Sequence, residues 1–103
     1  MRMHVYDMKK HIDSNTICLV GSCPEYPFGN CDDLEAIGQL GLEMGIPVHA
    51  DCCFGSFVIP FVEEAGFKGR PHNFTVPGIT SISCDTHKYG MGPKGLSVVM
   101  FKN

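Results

Sequence analysis

Between Thr16 and Ala50 the hydrophobic period of the chain changes twice, and that alternation limits the folds open to it. Thr16-Ile17-Cys18-Leu19-Val20 is a short continuous apolar run, the pattern of a buried strand. Residues 21–30 carry two prolines and two glycines and read as a loop. Asp32 then stands as a helix N-cap with Glu35 three residues on, as in a capping box. Leu34, Ile37, Leu40, Gly41 and Met44 recur at helical spacing, and Gly45 supplies the C-terminal stop. Ile46-Pro47-Val48-His49-Ala50 is the next strand, ending at Asp51, with Pro47 tolerated near its start. A strand–helix–strand unit favours parallel pairing, because parallel neighbours need a long crossover. The expected fold is therefore α/β, a mostly parallel sheet with flanking helices.

The rest of the chain fits around that unit. Val5, Met8 and Ile12 share one face of a short N-terminal helix. Residues 57–66 are apolar and are expected to cover the sheet, with Pro60 interrupting a continuous helix. Residues 69–77 are loop, Ile79 to Ser83 is a third strand, and Leu96 to Phe101 is a fourth. The connection from Asp85 to Gly95 is too short for a helical crossover, so the last two strands are antiparallel or not direct neighbours. A chain of 103 residues, 44% of them hydrophobic, builds one small core and one domain. The net charge of −3, with no basic stripe, argues against a nucleic-acid partner. No apolar run approaches the ~20 residues that cross a bilayer, and the first ten residues lack a signal peptide's apolar core. Six cysteines show no regular framework and no C-x-x-C pair, and His49-x-x-Cys52 is the nearest approach to metal-ligand spacing. They read as reduced thiols packed as small hydrophobes, with no metal site.

Ligands of open α/β sheets bind outside the carboxyl ends of the parallel strands. Three segments meet there: Gly21-Ser22-Cys23-Pro24 after the first strand, Asp51 at the end of the second, and Asp85-Thr86-His87-Lys88 after the third. A lysine amine can bond covalently to a carbonyl compound. With a carboxylate at a neighbouring strand end it suits pyridoxal phosphate: the lysine holds the aldehyde, and the carboxylate keeps the pyridine nitrogen protonated. The ring then accepts the electrons of a breaking bond at the substrate's α-carbon.

The motifs themselves resemble a family. Asn15-Thr16, Gly21-Ser22-Cys23-Pro24-Glu25-Tyr26-Pro27-Phe28-Gly29 and His49-Ala50-Asp51-Cys52-Cys53-Phe54-Gly55 lead to Gly78-Ile79-Thr80-Ser81-Ile82-Ser83-Cys84-Asp85-Thr86-His87-Lys88-Tyr89-Gly90 and Pro93-Lys94-Gly95. In order and spacing they resemble the sphingosine-1-phosphate lyases, pyridoxal phosphate enzymes of the group II decarboxylase-like kind. The resemblance implies the large domain of a fold type I transferase, with Lys88 as the Schiff-base lysine and Asp51 as the partner of the pyridine nitrogen. It implies His87 by the cofactor phosphate, Cys53 near the ring, Ser22 and Cys23 lining the cofactor, and Lys94 near the active site. Tyr89 and Lys94 are the candidates for the base.

The implied reaction cleaves a phosphorylated long-chain amino alcohol to phosphoethanolamine and a fatty aldehyde. The alternatives are an amino-acid decarboxylase of the glutamate or aromatic type, and an inactive remnant. The sequence departs from the family pattern at Phe28, where a histidine is common, at Ala50, where valine is frequent, and at Leu96, which replaces a small polar residue. The resemblance also implies that residues 1–103 are an internal part of the large domain, with an N-terminal segment and a small C-terminal domain outside them. It further implies a homodimer, a cytoplasm-facing site, and, in a eukaryotic parent, an upstream anchor in the endoplasmic reticulum membrane.

Overall fold

The computed structural model describes residues 2–103. Parallel pairing organises it. Strand β1 (Leu19–Ser22) runs parallel to β2 (Val48–Asp51), and β2 runs parallel to β3 (Ile79–Cys84). Strand β4 (Val98–Phe101) closes the sheet antiparallel to β3, giving the order β1-β2-β3-β4. Helix α1 (Val5–Lys10) precedes the sheet and α2 (Leu34–Met44) forms the crossover between β1 and β2. The mostly parallel α/β architecture expected from the sequence is the one observed, and of the two options for the last strands the antiparallel neighbour is realised.

The two faces of the sheet differ. Leu19, Val48, Ala50, Ile79 and Ile82 point to one side and are buried with Leu34, Ile37 and Leu40 of α2. Val5, Met8 and Ile12 pack against this core from the N-terminal segment, as their spacing predicts. On the other side stand Val20, Ser22, His49, Asp51, Ser81 and Ser83. Strict alternation would set Ile79 and Ile82 on opposite faces. A register shift between Val48 and His49 resolves this: Val48 pairs with Ile79, but His49 pairs with Ser81 and Asp51 with Ser83. The bulge lets both isoleucines face the core and brings two serines beside His49 and Asp51.

Three expectations are corrected. The N-cap of α2 is Asp33, whose carboxylate accepts from the Ala36 amide. Asp32 is committed elsewhere: its carboxylate takes the amides of Ser22 and Met3, tying the end of β1 to the N-terminal segment. Strand β1 begins at Leu19 rather than Thr16, because β2 offers only four paired positions, and Ile17 is left exposed. Residues 57–66 form turns around a short 3-10 segment (Ile59–Phe61), and only Ile59 packs against the core while Phe57, Val58 and Phe61 remain exposed.

Helix α2 lies so close to the entry of β3 that two glycines are required. A Cβ on Gly38 would collide with the Pro77 carbonyl, and one on Gly78 would collide with the Gly38 backbone. Gly78 also has φ of 87°, a conformation that side chains disfavour. Gly45 closes α2 at φ 66°, the left-handed cap foreseen for it. We predict that Gly38→Ala lowers stability by about 1–3 kcal/mol through overpacking. Asp33→Ala should cost about 1 kcal/mol through loss of the cap. Urea denaturation of both variants checks the two values.

Candidate active site

The carboxyl ends of β2 and β3 are sewn together by backbone bonds. The Cys52 amide donates to the Ser83 carbonyl at 3.1 Å, and the Asp85 amide donates to the Cys53 carbonyl at 3.3 Å. The end of β1 joins them through the Cys23 amide, which donates to the Asp51 carbonyl at 2.9 Å. These ties bring the polar side chains after each strand to one edge.

Asp51 is anchored through one oxygen. Its Oδ1 accepts the Cys53 amide at 3.0 Å and the Ser83 hydroxyl at 3.1 Å. Both of these donors converge on Oδ1, and the Cys53 thiol also hydrogen-bonds the carboxylate. Burial works to raise the Asp51 pKa. Cys53, the Ser83 hydroxyl and the nearby His49 more than offset it and hold the carboxyl below the usual carboxylate range. Asp51 is thus an ionised acceptor with a fixed orientation.

Lys88 is held next to it through Cys53. The Lys88 ammonium donates to Cys53 Sγ at 3.0 Å and forms an ion pair with Asp85 Oδ2 at 3.0 Å. Cys53 therefore touches both groups, its amide on Asp51 and its sulfur on Lys88. The hydrogen bond to Cys53 is the main influence raising the Lys88 pKa; burial opposes it and Asp85 adds to it. The Cys53 thiol is pushed up chiefly by burial and by the Asp51 carboxylate, against the pull of Lys88. Asp85 is held below its ordinary range by the Ser97 hydroxyl first and by Lys88 second.

His87 is oriented by the turn that follows. Its Nδ1 lies 2.8 Å from the Leu96 carbonyl, which can only accept, so Nδ1 carries a hydrogen. Its Nε2 lies 3.8 Å from Asp85 Oδ2. For Nε2 to donate to a phosphate oxygen as well, the ring must hold both protons.

The other expected residues sit as follows. Ser22 is half-buried on the same sheet face as Asp51, its amide on Asp32. Cys23 is fully buried in the core, and burial together with Cys31 pushes its thiol pKa far up. Its side chain has no surface to offer a ligand. Cys52, also buried, is pushed up to about 12 mainly by burial. All six cysteines are free. Tyr89 is exposed and packs edge-on against Phe54, with ring centroids 5.3 Å apart, and Tyr26 also meets Phe54 edge-on at 6.1 Å. Lys94 is exposed on the β3–β4 connection.

Sequence reasoning missed Asp85, His49, Ser81 and Ser83. The i,i+3 spacing of Asp85 and Lys88 within one turn could have revealed the first. The serines depend on the bulge, which leaves no local signal.

No protein-family model matches the chain. The chain is 54% identical over 97 residues to the sphingosine-1-phosphate lyase of Saccharomyces cerevisiae, covering 93% of this chain and 16% of that protein. It is 56% identical over 95 residues to the lyase of Drosophila melanogaster, covering 92% and 17%. Its homologues are sphingosine-1-phosphate lyases.

Among solved structures, the lyase of Burkholderia pseudomallei superposes with a TM-score of 0.92 at 38% identity, over 100% of this chain and 24% of that one. A glutamate decarboxylase from Lactobacillus brevis follows at 0.84 and 25% identity, over 98% of this chain and 23% of that one. The expected fold and family resemblance are thereby borne out. The chain spans 15% to 19% of the length of the curated lyases it matches.

The resting charge on Lys88 has a measurable consequence. Only a neutral amine attacks an electrophile, and its raised pKa keeps the neutral fraction small at neutral pH. We predict that labelling of Lys88 by trinitrobenzenesulfonate accelerates with pH and does not level off below about 10.5. Asp85→Asn removes a group that favours the ammonium, so it should speed labelling at pH 8 several-fold. Peptide mapping of the labelled lysine reads both effects.

Proposed function

We propose that this chain carries the catalytic lysine and the ring-nitrogen carboxylate of a pyridoxal phosphate-dependent aldehyde lyase acting on phosphorylated long-chain amino alcohols. The observation that carries this reading is the Asp51–Cys53–Lys88 linkage, a carboxylate anchored through Oδ1 and joined through one cysteine to a primary amine, within a segment homologous to the lyases.

The donor set fits that cofactor. Lys88 would hold its aldehyde, Asp51 Oδ2 would face the pyridine nitrogen, and a doubly protonated His87 would donate to the phosphate. Cys53 and Ser22 would lie near the ring. The buried Cys23 would act only as core packing behind the site. When bound, the cofactor supplies an electron sink for the carbon–carbon bond that breaks. Asp51 keeps that sink charged by staying ionised itself.

Tyr89 and Lys94 are this chain's candidates for taking the proton from the C3 hydroxyl. Loss of that proton turns the C3 carbon into the aldehyde as its bond to C2 breaks. Return of a proton to C2 leaves phosphoethanolamine. Lys94 lies on the segment after His87 and could also attract the substrate phosphate.

The activity belongs to a longer protein. Two clefts of the chain lie elsewhere. One of about 330 Å³ is lined by Asp32, Glu35, Lys68 and Arg70, and one of about 400 Å³ by Cys52, Ser56, Phe57 and Met100. Neither is lined by Asp51 or Lys88. Further walls for the site would come from the rest of a large domain and from a second subunit, in keeping with a homodimer. Among the described residues no helix is long and apolar enough to cross a membrane, so attachment to the endoplasmic reticulum would rest on other segments.

The test is product identity. A complete lyase carrying these residues, given a long-chain base phosphate, should release fatty aldehyde and phosphoethanolamine. Lys88→Ala should reduce the rate by at least about 10³-fold. Carbon dioxide release from glutamate or an aromatic amino acid, with no aldehyde from the lipid, would instead favour a decarboxylase.

A further inference from the structure

Asp51 stands at the end of a longer chain of side-chain contacts on the open face of the sheet. Ser81 Oγ lies 2.8 Å from His49 Nδ1, His49 Nε2 lies 3.1 Å from Ser83 Oγ, and Ser83 Oγ lies 3.1 Å from Asp51 Oδ1. Each link joins β2 to β3, and the set exists because the register shift places His49 opposite Ser81 and Asp51 opposite Ser83.

The direction of the chain follows from counting hydrogens. A serine hydroxyl has one hydrogen to give. The ionised Asp51 carboxylate can only accept, so Ser83 gives its hydrogen to Oδ1. Ser83 Oγ must then accept from His49, which puts a hydrogen on Nε2. The opposite tautomer would turn the Ser83 hydroxyl toward the histidine and leave two oxygen lone pairs facing each other at 3.1 Å. At the far end, the Ser81 hydroxyl meets Nδ1, and Ser81 is itself buried. Hydrogen bonds aligned head to tail polarise one another, so each link strengthens the next.

We propose that Ser83 and His49 are positioning residues for the cofactor site: they form a directional relay that holds Asp51 Oδ1 and fixes Oδ2 toward the pyridine nitrogen. The relay rests on the functional reading above and adds residues to it. Ser83 and His49 would act on the cofactor through Asp51, the group to which their hydrogen bonds lead. Their influence passes only through the carboxylate, and therefore only through the ring nitrogen that the carboxylate faces. The Cys53 amide holds Oδ1 from the other side and does not depend on the relay.

That route makes the inference testable with two ligands: pyridoxal phosphate, and its 1-deaza analogue, which has carbon in place of the ring nitrogen. Dissociation constants are measured by equilibrium dialysis on the complete protein and on variants whose circular dichroism matches it. Ser83→Ala and His49→Phe should each weaken pyridoxal phosphate about tenfold, the loss of roughly one charge-assisted hydrogen bond. Both should leave the deaza analogue within about twofold of the unsubstituted protein, because the bond they support is absent from that complex. Ser83→Thr, which keeps the hydroxyl, should restore binding. Equal losses for the two ligands would mean that the residues are merely structural and would overturn the relay; so would no loss for either. Failure of the unsubstituted protein to bind pyridoxal phosphate more tightly than the analogue would overturn the pairing of Asp51 with the ring nitrogen, and with it the functional reading.

Discussion

Everything at the candidate site depends on the parallel pairing of β2 with β3 and on the one-residue shift within it. Without the shift, Ile79 and Ile82 could not both enter the core, and Ser81 and Ser83 would not stand opposite His49 and Asp51. The hydrophobic demand of two isoleucines and the polar demand of a carboxylate are met by the same local irregularity. Bulges commonly re-aim side chains next to functional sites. Here the effect is to give Asp51 a hydroxyl donor on Oδ1.

The second constraint is the position of Cys53. It is the first residue past β2 whose amide can reach back to the Asp51 side chain, a two-residue return typical of aspartate at a turn. Its sulfur then meets the amine of Lys88. One residue thus couples the carboxylate and the amine, although 35 positions separate Cys53 from Lys88 in sequence. Lys88 has a second tether in Asp85, so its ammonium is positioned from two sides before any ligand arrives.

Much of this was legible in the residues, for identifiable reasons. The period change from strand to helix to strand across Thr16 to Asp51 is strong, and the crossover geometry follows from it directly. Gly45 and the short β3–β4 connection were equally explicit. Asp51 and Lys88 were visible as polar groups at strand ends, and the motif around Lys88 resembles that of the lyases. What the sequence hid was register. Asp32 and Asp33 are both good caps, and the choice between them turns on a tertiary demand, the need to satisfy the Ser22 amide. The inward turn of Cys23 is likewise set by the alternation of β1 and not by its neighbours. Residues 57–66 misled because apolar content alone does not say which apolar side chains reach a core, and Phe57 and Phe61 do not.

One covalent bond, from Lys88 to the cofactor aldehyde, is central to the proposed site. Loading the complete protein with pyridoxal phosphate, reducing it with borohydride and mapping the peptides should place a phosphopyridoxyl group on Lys88 alone. A group on Lys94, on Lys68 or on no lysine at all would contradict the assignment of this site.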